Sequence, residues 1–178
     1  MADIIIINKV DSSTKENIQI VENNIKKYNP KAIVIKAKSE IHADNYELIK
    51  NKKVMLIEDG PTITHGGMKF GAATIAAKKY GAKKIINAKK YAVRSIKETY
   101  EKYPHLEKEL PAMGYGPEQI KDLQDTINKS DCDVVIDGSP ANLKTILKVN
   151  KPIVNISYKL DENSTKELEK ILTKKGFI

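Results

Sequence analysis

Cysteine occurs once, at Cys132, tryptophan is absent, and Arg94 is the sole arginine among 31 basic residues. A lone cysteine excludes an internal disulfide, so a reducing, cytoplasmic setting is expected. Aromatic residues make up 6% of the chain and do not interleave with the lysines. With arginine so scarce, a nucleic-acid-reading surface is not expected. No apolar run approaches the roughly 20 residues that span a bilayer. Met1-Ala2-Asp3 places an acid where a secretory leader carries basic residues, so export is not expected either.

What is present describes a globular chain. It has 178 residues, 40% of them hydrophobic and 30% charged, enough to bury a core as one domain over residues 1–178. The net charge of +8 is carried by lysine. It serves either a surface that draws nucleotides and phosphorylated metabolites or simply a solvated exterior. Short apolar runs alternate with helical patterns. Ile4-Ile5-Ile6-Ile7, Ala32 to Ile35, Val54 to Ile57, Lys84 to Ile86, Val134 to Ile136 and 153–158 read as strands. Helices are expected over about 14–28, 70–80, 93–110 with a break at Pro104, 117–129, 140–148 and 164–175, with caps at Ser12 or Ser13 and at Asn163 or Ser164. The β-α alternation predicts an α/β fold: a mainly parallel sheet with helices on both faces.

Ligands of open parallel sheets bind outside the carboxyl ends of the strands. Three loops with unusual chemistry follow predicted strands. Asn8-Lys9-Val10-Asp11 reads N-K-x-D. An ionised Asp11 would accept two hydrogen bonds from a guanine edge, the Lys9 stem would lie along the base, and Asn8 would bond the purine or brace the loop. Alternatively, Asp11 or Ser12 caps the next helix. Glu58 to Gly67 offers Gly66 and Gly67 for close approach to an anion, Thr62 and Thr64 as hydroxyl donors, Asp59 for Mg²⁺ or a nucleophile, and His65 for phosphate or proton transfer. A structural turn with a capping acid would look the same. Asp137-Gly138-Ser139 leads into Pro140, and Ser139 serves as either a cap or a substrate contact. Tyr115, between Gly114 and Gly116, marks a fourth loop, either lid or turn. Arg94 and Lys90 would clamp a phosphate. Gly66 and Gly71 imitate the opening of a Walker A motif, but Ala72-Ala73 stands where Lys-Ser or Lys-Thr is required, so this is no P-loop.

The segments A-D-I-I-I-I-N-K-V-D, E-D-G-P-T-I-T-H-G-G-M-K-F-G-A, Y-A-V-R-S-I-K-E-T-Y-E-K-Y-P-H, L-P-A-M-G-Y-G-P-E-Q-I-K-D-L and N-K-P-I-V-N-I-S-Y resemble the carboxy-terminal part of the archaeal cyclic 2,3-diphosphoglycerate synthetases and related P-loop GTPases, from Ala2 to about Leu160. The resemblance implies the second half of a P-loop NTPase domain. It also implies an ATP-driven ligase reaction that closes an intramolecular anhydride in 2,3-diphosphoglycerate, with Mg²⁺ and ATP or GTP. Asn8, Lys9 and Asp11 would then hold the base. Asp59, with metal, and His65 would act at the reaction centre, and Thr62, Thr64, Gly66, Gly67, Arg94, Asp137 and Ser139 would bind substrate or phosphate. The Walker A part would come from a P-loop-bearing amino-terminal half or partner subunit, and a homo-oligomer is a further expectation. N-K-V-D favours guanine while the named synthetases use adenine nucleotide. A GTPase-like protein and a non-catalytic phosphometabolite-binding subunit stay open as alternatives.

Overall fold

β-branched runs and Pro- or Gly-marked breaks set the element order in the computed structural model, which describes residues 1–65 and 71–178. The strands are β1 (Ile4–Ile7), β2 (Ile33–Lys36), β3 (Ser39–Ala43), β4 (Lys53–Asp59), β5 (Lys84–Ile85), β6 (Leu110–Ala112), β7 (Val134–Asp137) and β8 (Ile153–Leu160). The helices are α1 (Lys15–Tyr28), α2 (Gly60–Thr64), α3 (Ala72–Lys79), α4 (Arg94–Lys102), α5 (Pro117–Lys129) and α6 (Glu162–Lys174). None of the described helices is long and apolar enough to cross a membrane.

The chain separates into two compact units, residues 1–40 with 158–178 and residues 41–157. No linker composition marks this division, because β3 and β8 each run from one unit into the other. In the larger unit the sheet order is β3-β8-β7-β4-β5, with β6 beside the carboxyl end of β4. The sheet is mixed but mostly parallel. β4 runs parallel to β5, β6 and β7, and β7 runs parallel to β8. Alternation along β4 sends Val54 and Leu56 to one face, against the alanines of α3, and Met55 and Ile57 to the other, against Ile96, Tyr100, Leu123 and Ile127 of α4 and α5. Both faces are thus covered by helices, as the β-α alternation predicts. The small residues of α3 let it lie close to the sheet.

In the smaller unit β1 and β2 form a separate two-stranded parallel sheet. Thr14 caps α1, in place of Ser12 or Ser13, by accepting from Asn17 N–H at 3.2 Å. Asp161, rather than Asn163 or Ser164, caps α6. Two strands escape the pattern: β3 has a single buried apolar residue, Ile41, and β6 contains Pro111. The helix expected over 140–148 shrinks to one turn at Leu143–Thr145. Asn142 takes a left-handed φ of 45°, and Leu143 N–H is drawn to Asp137 Oδ2 at 2.7 Å.

Candidate functional site

Parallel pairing of β4, β6 and β7 brings the loops that follow them to one edge of the larger unit. β4 ends in two acids that face opposite ways. Glu58 is 1% exposed and reaches the start of α3. Its Oε1 accepts from Gly71 N–H at 3.1 Å, Thr74 N–H at 2.8 Å and Thr74 Oγ1 at 2.8 Å, and its Oε2 accepts from Ala73 N–H at 3.2 Å. Burial pushes the Glu58 carboxyl up, and the donors from Thr74, Ala73 and Gly71 pull it back only in part. In the sequence Glu58 stands merely as the start of a loop. An acid directly after four buried apolar residues is the signal that marks it.

Asp59 turns the other way and caps α2. Its Oδ2 accepts from Thr62 Oγ1 at 2.6 Å and Thr62 N–H at 3.3 Å. Oδ1 carries no hydrogen bond among the described residues, and no group of three or more His, Cys, Asp or Glu there is placed to hold a metal. One open carboxylate oxygen suits Mg²⁺, which commonly takes one or two carboxylates and completes its shell with water and phosphate.

The β7 loop closes on itself. Asp137 is fully buried and Ser139 is 4% exposed. Asp137 Oδ1 accepts from Ser139 Oγ at 2.7 Å and Ser139 N–H at 3.0 Å, and its Oδ2 holds Leu143 N–H. Burial pushes the Asp137 carboxyl up against these bonds. Tyr115, from the loop after β6, lies near enough to Ser139, Asp59 and Asp137 for all three to act electrostatically on its hydroxyl. Burial chiefly holds its hydroxyl above the ordinary tyrosine range. Asp59, Tyr115, Asp137 and Ser139 therefore converge. A Cβ at Gly138 would sit 2.7 Å from Ala73 N and 2.9 Å from Glu58 Oε2, so only glycine lets the β7 loop approach α3.

His65 stands at the far end of α2 from Asp59 and is exposed. Its Nδ1 lies 2.7 Å from Thr64 Oγ1 and its Nε2 lies 3.2 Å from Tyr103 Oη. Thr64 donates its one hydroxyl proton to Gly60 C=O at 2.8 Å. Nδ1 must then carry a proton and donate to Thr64, and in the neutral ring Nε2 accepts from Tyr103 O–H. Tyr103 in turn meets His105 edge-on, with ring centroids 6.1 Å apart. His105 Nε2–H donates to Ile63 C=O at 2.9 Å. Nothing in the sequence marks Tyr103, because a contact 38 residues away leaves no local signature. Gly66 and Gly67 lie outside the described residues.

Arg94 begins α4 with a φ of 37° and binds carboxylates. Its Nε donates to Asp122 Oδ1 at 2.5 Å and its Nη2 to Asp125 Oδ2. In the smaller unit, Lys9 holds a left-handed φ of 60°, with Nζ 4.6 Å from the Tyr158 ring centroid. Asn8 Oδ1 accepts from Lys9 N–H at 2.8 Å, and Asp11 Oδ1 accepts from Ser39 N–H at 3.2 Å. Asp11 thus ties its loop to β3 through one oxygen, and its Oδ2 carries no hydrogen bond among the described residues. A non-glycine residue held at positive φ costs on the order of 1 kcal/mol and recurs at ligand-binding turns.

No family model matches this chain. The chain is 54% identical over 171 residues to arginine synthetase ArcE of Thermococcus kodakarensis, a match that covers 96% of this chain and 38% of that protein. The chain therefore spans well under half the length of the curated relative it matches.

Proposed function

We propose that this chain is the substrate-side part of a nucleotide-dependent ligase. The single observation that carries the reading is its 54% identity, over nearly its whole length, to part of a protein named a synthetase. The convergence of Asp59, Tyr115, Asp137 and Ser139 at the carboxyl edge of parallel strands supports it. In this reading Asp59 would hold Mg²⁺, which would supply charge neutralisation for phosphoryl transfer. Asp137 templates the β7 loop, with Ser139 as its brace, and Tyr115 presents its hydroxyl to substrate. His65, fixed by Thr64, directs Nε2 outward through Tyr103 for proton transfer or phosphate contact. In the smaller unit, taken by itself, Asp11 would contact a purine base, with Asn8 and Lys9 shaping its loop. Thr62 and Thr64 would line the phosphate side.

Two substrate readings follow. The relative's name points to formation of arginine. The segments from Ala2 to Leu160 resemble enzymes that close an anhydride in 2,3-diphosphoglycerate, and a lysine-rich chain of net charge +8 suits so anionic a substrate. Titration calorimetry of the purified chain with ATP, GTP, arginine and 2,3-diphosphoglycerate, each with Mg²⁺, separates them. Binding of arginine alone favours the first reading and binding of diphosphoglycerate alone the second. GTP binding with hydrolysis favours a GTPase-like protein. Diphosphoglycerate binding without turnover, even when a P-loop-bearing part is supplied, would point to a non-catalytic subunit. In the completed enzyme, Asp59→Asn and His65→Ala should each cut turnover by about 100-fold or more while the domain stays folded. Full activity in both would return this loop to a purely structural role.

A further inference from the structure

β1 consists of four isoleucines, a composition suited to a strand buried on both faces. Yet among the described residues it pairs only with β2, in a sheet of two strands. Ile33 N–H donates to Asp3 C=O at 2.9 Å and Ala37 N–H to Ile7 C=O at 2.9 Å, with Ile4 in register with Ile33. In a parallel ladder this phase turns the amides and carbonyls of Ile5 and Ile7 toward β2, and those of Ile4 and Ile6 away from it. No hydrogen bond meets the outward groups of Ile4 and Ile6 among the described residues.

The flanking surface is equally open. Ile6 is 37% exposed, Ile33 36% and Val34 37%, and α1 buries no residue while showing Ile20 and Val21 to solvent. Edge strands that end a sheet are usually blunted by lysine, proline or a bulge. β1 has none of these. The outer edge of β2 differs, since the Ser164 side chain of α6 lies against it, Oγ 3.3 Å from Lys36 C=O.

We propose that the open edge of β1 is an interaction surface that receives an extended apolar strand from a further polypeptide, the counterpart of the part of the Thermococcus kodakarensis protein that lies outside the 38% matched here. Such a strand would satisfy Ile4 and Ile6 and cover the β1–β2 surface. The length of that additional polypeptide, more than the matched region itself, favours it over a second copy of this chain. The inference is independent of which reaction the assembled protein performs.

Amide hydrogen exchange tests it. In this chain alone, Ile4 and Ile6 should exchange freely while Ile5 and Ile7 are protected. In the intact Thermococcus kodakarensis protein, the amides aligned with Ile4 and Ile6 should exchange at least about tenfold more slowly. Equal rates in the two proteins would overturn the proposal, and protection that grows with the concentration of this chain alone would overturn it in favour of self-association. Mixing this chain with the unmatched part of the relative should protect the same two amides. Ile6→Pro deletes an outward donor and should abolish the protection of the remaining outward amide, that of Ile4, and Ile6→Lys, at a residue already exposed, should weaken the protection of both at an unchanged melting temperature. Undiminished protection in both variants would overturn the assignment to this edge.

Discussion

Glu58 and Thr74 are bound twice over: one carboxylate oxygen takes both the backbone N–H and the hydroxyl of Thr74, each at 2.8 Å. The end of a central strand thereby fixes the start of α3 without any capping side chain on Gly71. Glu58→Gln should lower unfolding stability by about 1–3 kcal/mol, because an amide cannot accept at both positions. Glu58→Ala should cost on the order of 3 kcal/mol or more. Since burial raises the folded pKa, the fold favours the protonated carboxyl, and wild-type stability relative to Glu58→Gln should fall as pH rises from about 4.3 through the folded value. Urea denaturation at a series of pH values checks both the size and the slope.

Tyr103→Phe should leave the fold within about 1 kcal/mol of wild type, since it removes one solvent-accessible hydrogen bond. Nitrogen-15 NMR of His65 should nonetheless change. The wild-type ring should show a protonated Nδ1 and a hydrogen-bonded Nε2 acceptor, and the variant should lose the Nε2 signature. An unchanged spectrum would remove Tyr103 from the control of His65.

Arg94 makes a different prediction from a phosphate clamp. Burial pushes Asp122 up, but Ser95 and Arg94 outweigh that and hold it below the usual carboxylate range. Arg94→Ala should lower the unfolding midpoint by loosening α4 from α5. Arg94→Lys should restore little, because a point charge cannot span Asp122 and Asp125 as the guanidinium does. A raised KM with unchanged stability would instead assign Arg94 to the substrate.

Asp161 should show the opposite pH trend to Glu58. The Ser164 hydroxyl, with Lys38 and Ser164 N–H groups, holds its carboxyl down to about 2. A depressed pKa contributes stability above the unfolded value and loses it as pH falls through the folded one. The gap between wild type and Asp161→Ala should therefore be full near neutrality and close between about pH 4 and 2. Thermal melts across that range measure it.

The parts of the fold legible in the sequence were those whose burial is written locally. Ile4–Ile7, Val54–Ile57 and Val134–Ile136 are continuous apolar runs, and each became a strand. β3 was illegible because S-E-I-H-A carries one large apolar residue, Ile41, and owes its state to β8. β6 was masked by Pro111, which is tolerated because Leu110–Ala112 pairs at the end of β4. The helix after Pro140 failed because Asp137 takes Leu143 N–H for itself. At the candidate site, the loops after β4 and β7 could be read from their position behind strands. The inward turn of Ser139 onto Asp137, the α3 anchor at Glu58 and the hold of Tyr103 on His65 depend on contacts that no local pattern encodes.

The pairing of His65 with Tyr103 also bears on the order in which the molecule forms. Glu58 meets its partners 13 to 16 residues away, whereas His65 meets Tyr103 only across 38. Longer loops close at greater entropic cost and reward the chain later. A nascent or partly folded chain would thus anchor α3 while its imidazole still turned freely. The orientation of that ring therefore follows the anchoring of α3, and a reporter on it would register a later contact than one on Glu58.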